Sequence, residues 1–247
     1  SASVMESVSG VLGKIPVDHV LAEFIGVALF AFFGGACDAN SVGSGLATAA
    51  LGNGLCLAVL IYVTAGISGG HLNPVVTTAM FMTKRIGKRR LFVYLAAQVL
   101  GAITGAVFLR LTLPPPFLDT PFVTRGSLTA AHPVQVLLLE FICTFVLVYT
   151  VFATVCDETG KAKNAAPLLI GLSVTVGIFA EGPFTGGSMN PARSFGAAMA
   201  FLNFDHLLIY ILATFLGGVL AGMCYDNLFL EPQTEEDPGR YDEPDQA

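Results

Sequence analysis

Six apolar stretches divide the chain, near 17–37, 46–67, 90–112, 134–156, 165–182 and 206–229. Each is close to the length of about 20 residues that a helix needs to cross a bilayer, and the fifth is the shortest. Two further apolar pieces, 74–83 and 191–201, are only half as long. Ten helical residues reach about 15 Å, half of the hydrocarbon core. These pieces are expected to enter a membrane without crossing it.

Each half-length piece opens on the same punctuation. "GGHLNPVVT" begins at Gly69 and "GGSMNPARS" at Gly186. Asn is a favoured N-cap and Pro a favoured first helical residue, so Asn73-Pro74 and Asn190-Pro191 each predict the start of a short helix. The motifs lie 117 residues apart, 73 to 190. The same offset carries Glu23-Phe24-Ile25 onto Glu140-Phe141-Ile142, Gly54 onto Gly171, Gly69-Gly70 onto Gly186-Gly187, Gly101 onto Gly218 and Gly105 onto Gly222.

Each repeat therefore holds three spans and one half-length piece. Three is odd, so the second repeat is inverted in the membrane. Paired, interrupted segments in inverted repeats place the functional site at the repeat interface, near the midplane. Inversion points the half-helices at each other, and their positive N-terminal ends meet at the centre. Such a site offers amide donors over a path while opposing a cation there.

Composition fits this picture. The chain is 54% hydrophobic and 12% charged, with 27 glycines and mean hydropathy +0.72. A soluble domain would carry about twice that charge density. Val20–Phe33 runs into a full span without a cleavage-like site, so no secretory signal is expected. The net charge of -6 sits in the tail, where seven acids between Glu231 and Asp245 face Arg240 alone. This tail is expected to be disordered, and nothing suggests nucleic-acid binding. Lys84, Arg85, Lys88, Arg89 and Arg90 precede the third span, and Lys161 and Lys163 lie between the fourth and fifth. These loops, and with them both termini, are expected on the cytoplasmic side. The long loop 113–133 then faces the other way with only Arg125, read as an ordinary solvated arginine.

The expected organisation is an N-terminal segment 1–16, a membrane-embedded region 17–230 and a tail 231–247. The repeats are about 17–112 and 134–229. The five cysteines have neither zinc nor redox spacing and read as buried small hydrophobes. No nucleophile–base set, metal cluster or phosphate loop stands out, so neither enzyme activity nor a cofactor is expected.

The doubled Asn-Pro motif in inverted repeats resembles the major intrinsic proteins, the aquaporins and aquaglyceroporins, over about Asp18 to Leu230. "SGGHLNP", "FTGGSMNPARSFG" and "TFVLVYTVFAT" look most like plant tonoplast intrinsic proteins. The resemblance implies an all-α membrane protein with six transmembrane helices and two re-entrant half-helices. It implies a homotetramer with one pore per subunit, and an internal membrane such as the vacuolar one over the plasma membrane. Asn73 and Asn190 would donate to permeating molecules at the midplane. The first motif departs from the usual Asn-Pro-Ala in having Val75, expected to alter packing behind the Asn more than its chemistry.

The family's aromatic/arginine filter falls, by its spacing from the motifs, on Asn53, Ile178, Gly187 and Arg193. Water-selective members typically have Phe and His at the first two positions. Without that aromatic wall the opening is expected to be wider and partly apolar, with Arg193 and Asn53 as polar handles. Such a lining suits glycerol, urea or ammonia as well as water. Ser194 and Ala198 instead match the water-channel pattern, so a water-selective channel with little glycerol flux is one alternative.

A secondary transporter is another, because it too uses inverted repeats and broken helices. Of the intramembrane acids, only Glu23 and Glu140 are expected to be placed for ion coupling. Both read instead as acceptors for the irregular backbone of the re-entrant loops. A non-transporting structural protein of the same fold is the third reading. His71 resembles a pore-lining histidine near the cytoplasmic vestibule, with a satisfied buried His as its competitor. His19, His132 and His206 read as interfacial.

Overall fold

The computed structural model describes residues 15–115 and 132–230. The long loop with Arg125, the N-terminal residues 1–14 and the acidic tail lie outside the described residues. The described chain forms helices α1 (Val17–Ser44), α2 (Leu46–Ser68), α3 (Pro74–Met82), α4 (Lys88–Thr112), α5 (Pro133–Val151), α6 (Ala166–Thr185), α7 (Pro191–Phe201) and α8 (Leu207–Phe229). A π-helical turn, Phe152–Cys156, prolongs α5. Six of these helices are long and apolar enough to cross a membrane. The half-helices α3 and α7, of 9 and 11 residues, span about 14 and 17 Å at 1.5 Å per residue.

The first helix runs seven residues beyond the expected 37. Its extension, Asp38 to Ser44, is polar and lies between the apolar stretches 17–37 and 46–67. Ser41 Oγ donates to Asp38 O (2.6 Å) and Ser44 Oγ to Asn40 O (2.8 Å), so the hydroxyls bond back onto helical carbonyls. The helix ends at Gly45, whose φ of 91° closes it.

The two re-entrant loops are conformational copies. Gly69 and Gly70 have φ of 88° and 62°, and Gly186 and Gly187 have 85° and 64°. These left-handed values favour glycine. Leu72 and Met189 both follow at φ 47°, a strained conformation for such side chains. Each half-helix packs on the last span of the other repeat, α3 on α8 and α7 on α4, which interlocks the halves.

Gly54 and Gly171 meet across α2 and α6. A Cβ on Gly54 would lie 2.5 Å from Gly171 O, and one on Gly171 would lie 2.3 Å from Gly54 O. This contact preserves the 117-residue register. The register then slips by one in the last span of each repeat. Gly101 lies against Phe24 O, and the residue lying against Phe141 O is Gly217, not Gly218. Tyr94 donates to Ser68 O and Tyr210 to Thr185 O, again 116 apart, 94 to 210. The pairings of Gly101 with Gly218 and of Gly105 with Gly222 are thus corrected. Gly218 and Gly222 instead face Val75 and Ala79 of α3.

The outer surface is apolar in long stripes. Leu21, Ile25, Leu29 and Phe33 on α1 are exposed, as are Leu208, Leu212, Leu216 and Leu220 on α8. Four-residue spacing puts each set on one helix face, and such continuous apolar faces suit lipid or another protein surface rather than water.

Candidate functional site

Two buried acids hold the re-entrant loops. Glu23 Oε1 accepts from Ser68 Oγ (2.7 Å) and His71 N (2.9 Å), and its Oε2 from Leu72 N and Gln98 Nε2 (both 2.8 Å). Glu140 accepts from Ser188 N (2.8 Å) and Met189 N (2.9 Å). Loop N–H groups that helix and sheet leave unpaired are thereby satisfied away from water.

The asparagines are held by two kinds of bond. Asn73 Oδ1 accepts from Val75 N (3.0 Å), and Asn190 Oδ1 from Ala192 N (3.0 Å) and Arg193 N (3.3 Å). These are N-caps. Asn73 Nδ2 donates to Met189 O (2.8 Å), and Asn190 Nδ2 donates to Leu72 O (3.0 Å). Each asparagine is thus tied to the opposite loop. A carboxamide has two N–H donors, so each of these bonds leaves one N–H in hand.

Two cavities meet at Asn73. The larger, about 460 Å³, opens among Ile61, His71, Met80, Arg85, Val151 and Ile170. The smaller, about 10 Å³, lies between Asn190, Ile178, Gly187, Arg193 and Asn53. That is about the space of a single water. Asn73, Leu57 and Leu147 border both. The four expected filter residues are therefore brought together around the small chamber, and His71 stands on the large one. His71 Nδ1 lies 3.0 Å from Thr77 Oγ1, and its ring meets Tyr94 edge-on.

Two contacts shape the small chamber. The aromatic wall is missing, yet Ile178 leans over Gly187, where a Cβ would lie 2.8 Å from Ile178 Cγ1. The space between these residues is about 10 Å³. The Asn53 amide is also not a free donor. Its Nδ2 donates to Asp38 Oδ1 (2.7 Å), Ala49 O (3.0 Å) and Gly34 O (3.4 Å). Only its Oδ1 lacks a hydrogen-bond partner.

Asp38 is the residue that sequence reasoning missed. Its Oδ2 receives Arg193 Nη2 at 2.5 Å, a pair with side chains 7% and 6% exposed. Glu181 was missed too. It is fully buried on α6, beside Glu140, Cys143 and Thr185. Buried acids in this region thus extend beyond the two symmetric glutamates. The available signal was an acid at the end of an apolar span for Asp38 and inside one for Glu181. Arg85 is not a solvated charge: it is buried and pairs with Asp226 at 2.6 Å. All five cysteines are free thiols. Among the described residues, no three His, Cys, Asp or Glu are grouped to hold a metal ion.

A family model described as Major intrinsic protein matches residues 14–225. The chain belongs to the major intrinsic protein family. Among its relatives is Probable aquaporin TIP4-1 of Oryza sativa subsp. japonica, 40% identical over 230 residues, covering 89% of this chain and 90% of the relative. Probable aquaporin TIP2-2 of Arabidopsis thaliana is 38% identical over 240 residues, with 88% and 92% covered. Aquaporin-4 of Rattus norvegicus is 37% identical over 235 residues, with 92% and 72% covered. The X-ray structure of the aquaglyceroporin from Plasmodium falciparum shares the fold, with a TM-score of 0.77 at 23% identity, covering 86% of this chain and 96% of that one. This major intrinsic protein is an aquaporin-type channel for water and small solutes, a multi-pass integral membrane protein and not an enzyme.

Proposed function

We propose that the chain passes water and small uncharged solutes such as glycerol, with urea and ammonia in the same size class, and excludes protons and ions. The observation that carries this reading is the crossed pair of asparagines. Each is fixed by its helix and by the opposite loop, and each keeps one N–H for a passing oxygen. Channels of this type are generally understood to select by pore diameter, lining donors and half-helix dipoles. In the proposed path Asn73 and Asn190 form the midplane, and Asn53, Ile178, Gly187 and Arg193 form the filter. His71 lines the vestibule, and Glu23 and Glu140 brace the loops.

A second reading, a water-selective channel with little glycerol flux, is favoured by the chamber of about 10 Å³ under Ile178. The exposed apolar stripes support a homotetramer embedded in lipid. The similarity to plant proteins named TIP supports a vacuolar or other internal membrane, and the basic loops support cytoplasmic termini.

The test is solute flux into proteoliposomes as a function of concentration. A channel gives flux that rises linearly and ignores proton and sodium gradients. Saturation or gradient dependence overturns the reading.

A further inference from the structure

We propose that Asp38 is a positioning residue for the filter: it holds Arg193 to one side and supplies the countercharge that makes the narrow chamber nearly neutral. The inference rests on the reading of Arg193 as a filter residue. It adds a residue from the first helix to that filter.

One carboxylate bridges two polar side chains of the chamber, Arg193 and Asn53. Asp38 Oδ2 takes Arg193 Nη2 at 2.5 Å, and Asp38 Oδ1 takes Asn53 Nδ2 at 2.7 Å. The backbone carbonyl of Ala49 fixes the Asn53 amide from behind at 3.0 Å. Gly34 leaves room for it, since a Cβ there would stand 2.4 Å from Asn53 Oδ1. Asp38 itself sits on the helical extension held by the Ser41 back-bond. Arg193, on the first turn of α7, therefore reaches across to α1 and is anchored at one nitrogen.

Its other nitrogen, Nη1, is buried with no hydrogen-bond partner. Arg193 also borders the small chamber. Nη1 is thus the donor left for a solute oxygen, and Asn53 Oδ1, equally unpartnered, is an acceptor beside it. A donor and an acceptor with no net charge between them suit a neutral hydroxyl or amide solute, whose O–H or N–H and oxygen can be met together. A lone buried guanidinium would instead present a full positive charge.

Removing either partner has opposite electrical results. Asp38→Asn leaves the guanidinium without its hydrogen-bonded carboxylate, with only Glu140 and Glu181 among the described residues as acids nearby, and Arg193→Val leaves the Asp38 carboxylate buried without its guanidinium. In a low-dielectric site a unit charge a few ångströms from the path changes local ion occupancy by about tenfold or more.

The experiment records solute flux and ion currents from purified full-length protein in planar bilayers and liposomes. Wild-type water flux comes first, and its absence would remove the channel reading itself rather than the role of Asp38. Given that flux, Arg193→Val should raise cation conductance about tenfold. Asp38→Asn/Arg193→Val should abolish that gain, although its filter equally lacks the arginine. Asp38→Asn alone should shift the reversal potential toward anions and cut the glycerol-to-water flux ratio, because the released guanidinium moves into the path. Asp38→Glu should retain wild-type ion exclusion. Equal cation leak in Arg193→Val and the double variant overturns the proposal, as does unchanged selectivity in folded Asp38→Asn. Should Asp38→Asn fail to fold, the comparison of Arg193→Val with Asp38→Glu/Arg193→Val decides. A leak retained with the longer acid supports the countercharge, and a leak lost with it contradicts it.

Discussion

Val75 fills the space that a side chain at Gly218 would need: a Cβ at Gly218 would lie 1.9 Å from Val75 Cγ1. The bulk added in the first Asn-Pro motif is thus absorbed by a glycine on the last helix, and Asn73 keeps its cap on Val75 N. In the second motif Ala192 follows the proline, and it is fully buried.

Gly218→Ala should therefore be overpacked and lose about 1–3 kcal/mol. The double variant Val75→Ala/Gly218→Ala should recover part of the loss, with a Cβ at Gly218 still 2.9 Å from Val148 Cγ2. Thermal unfolding in detergent reads both. Failure of the double variant to recover would show that Gly218 is needed for another contact.

Glu140 offers one oxygen to each of two loop N–H groups, at Ser188 and Met189. Glu140→Gln keeps one acceptor, while Glu140→Leu strands both donors. An unsatisfied buried group costs about 1–3 kcal/mol, so the leucine variant should lose about 2–6 kcal/mol and the glutamine variant about half as much. The yield of folded protein by size-exclusion chromatography checks this, and equal losses would contradict the bracing role.

Ile178 closes the chamber over Gly187. Ile178→Ala should raise glycerol flux more than water flux, because a single water already fits a space of about 10 Å³. Ile178→His should reduce glycerol more than water. Stopped-flow rates for both solutes measure the ratio, and an unchanged ratio in both variants would remove Ile178 from the filter.

Asp157, beyond the end of the fourth span, accepts from Thr159 N (2.8 Å) and Oγ1 (2.7 Å) and from Tyr225 Oη (2.8 Å). The Thr159 hydroxyl, then Tyr225, hold its carboxyl below the ordinary range. A depressed acid contributes stability above its unfolded value, near pH 3.9, and loses it as pH falls through the lower folded value. The tie between the 157–165 loop and α8 should hold at neutral pH and loosen below about pH 4. Hydrogen exchange of the loop amides tests this. Asp157→Ala should show the faster exchange already at pH 7.

The half-helices were legible because their starts are local chemistry: an N-cap followed by proline, twice, at one spacing. Six spans were legible from length alone. Asp38 was not, because its partners lie 15 and 155 positions away, at Asn53 and Arg193. Without them its polar stretch reads as loop. The true extent of α1 stayed hidden because Asp38–Ser44 is polar, although Ser41 and Ser44 bond back onto its own carbonyls. The slipped register of the last spans was masked by adjacent glycines, Gly217 and Gly218, either of which continues the pattern. Missing aromatics predicted width, but how far Ile178 leans over Gly187 depends on backbone placement that residue identity does not carry.

The most direct test of the channel account is light scattering from proteoliposomes after an osmotic jump, once with sucrose and once with glycerol. The account predicts rapid shrinkage in both, followed by rapid re-swelling in glycerol alone. Rapid shrinkage without re-swelling would restrict the pore to water and contradict the proposed glycerol passage. Shrinkage no faster than in protein-free liposomes, from protein shown to be folded, would contradict the channel account itself.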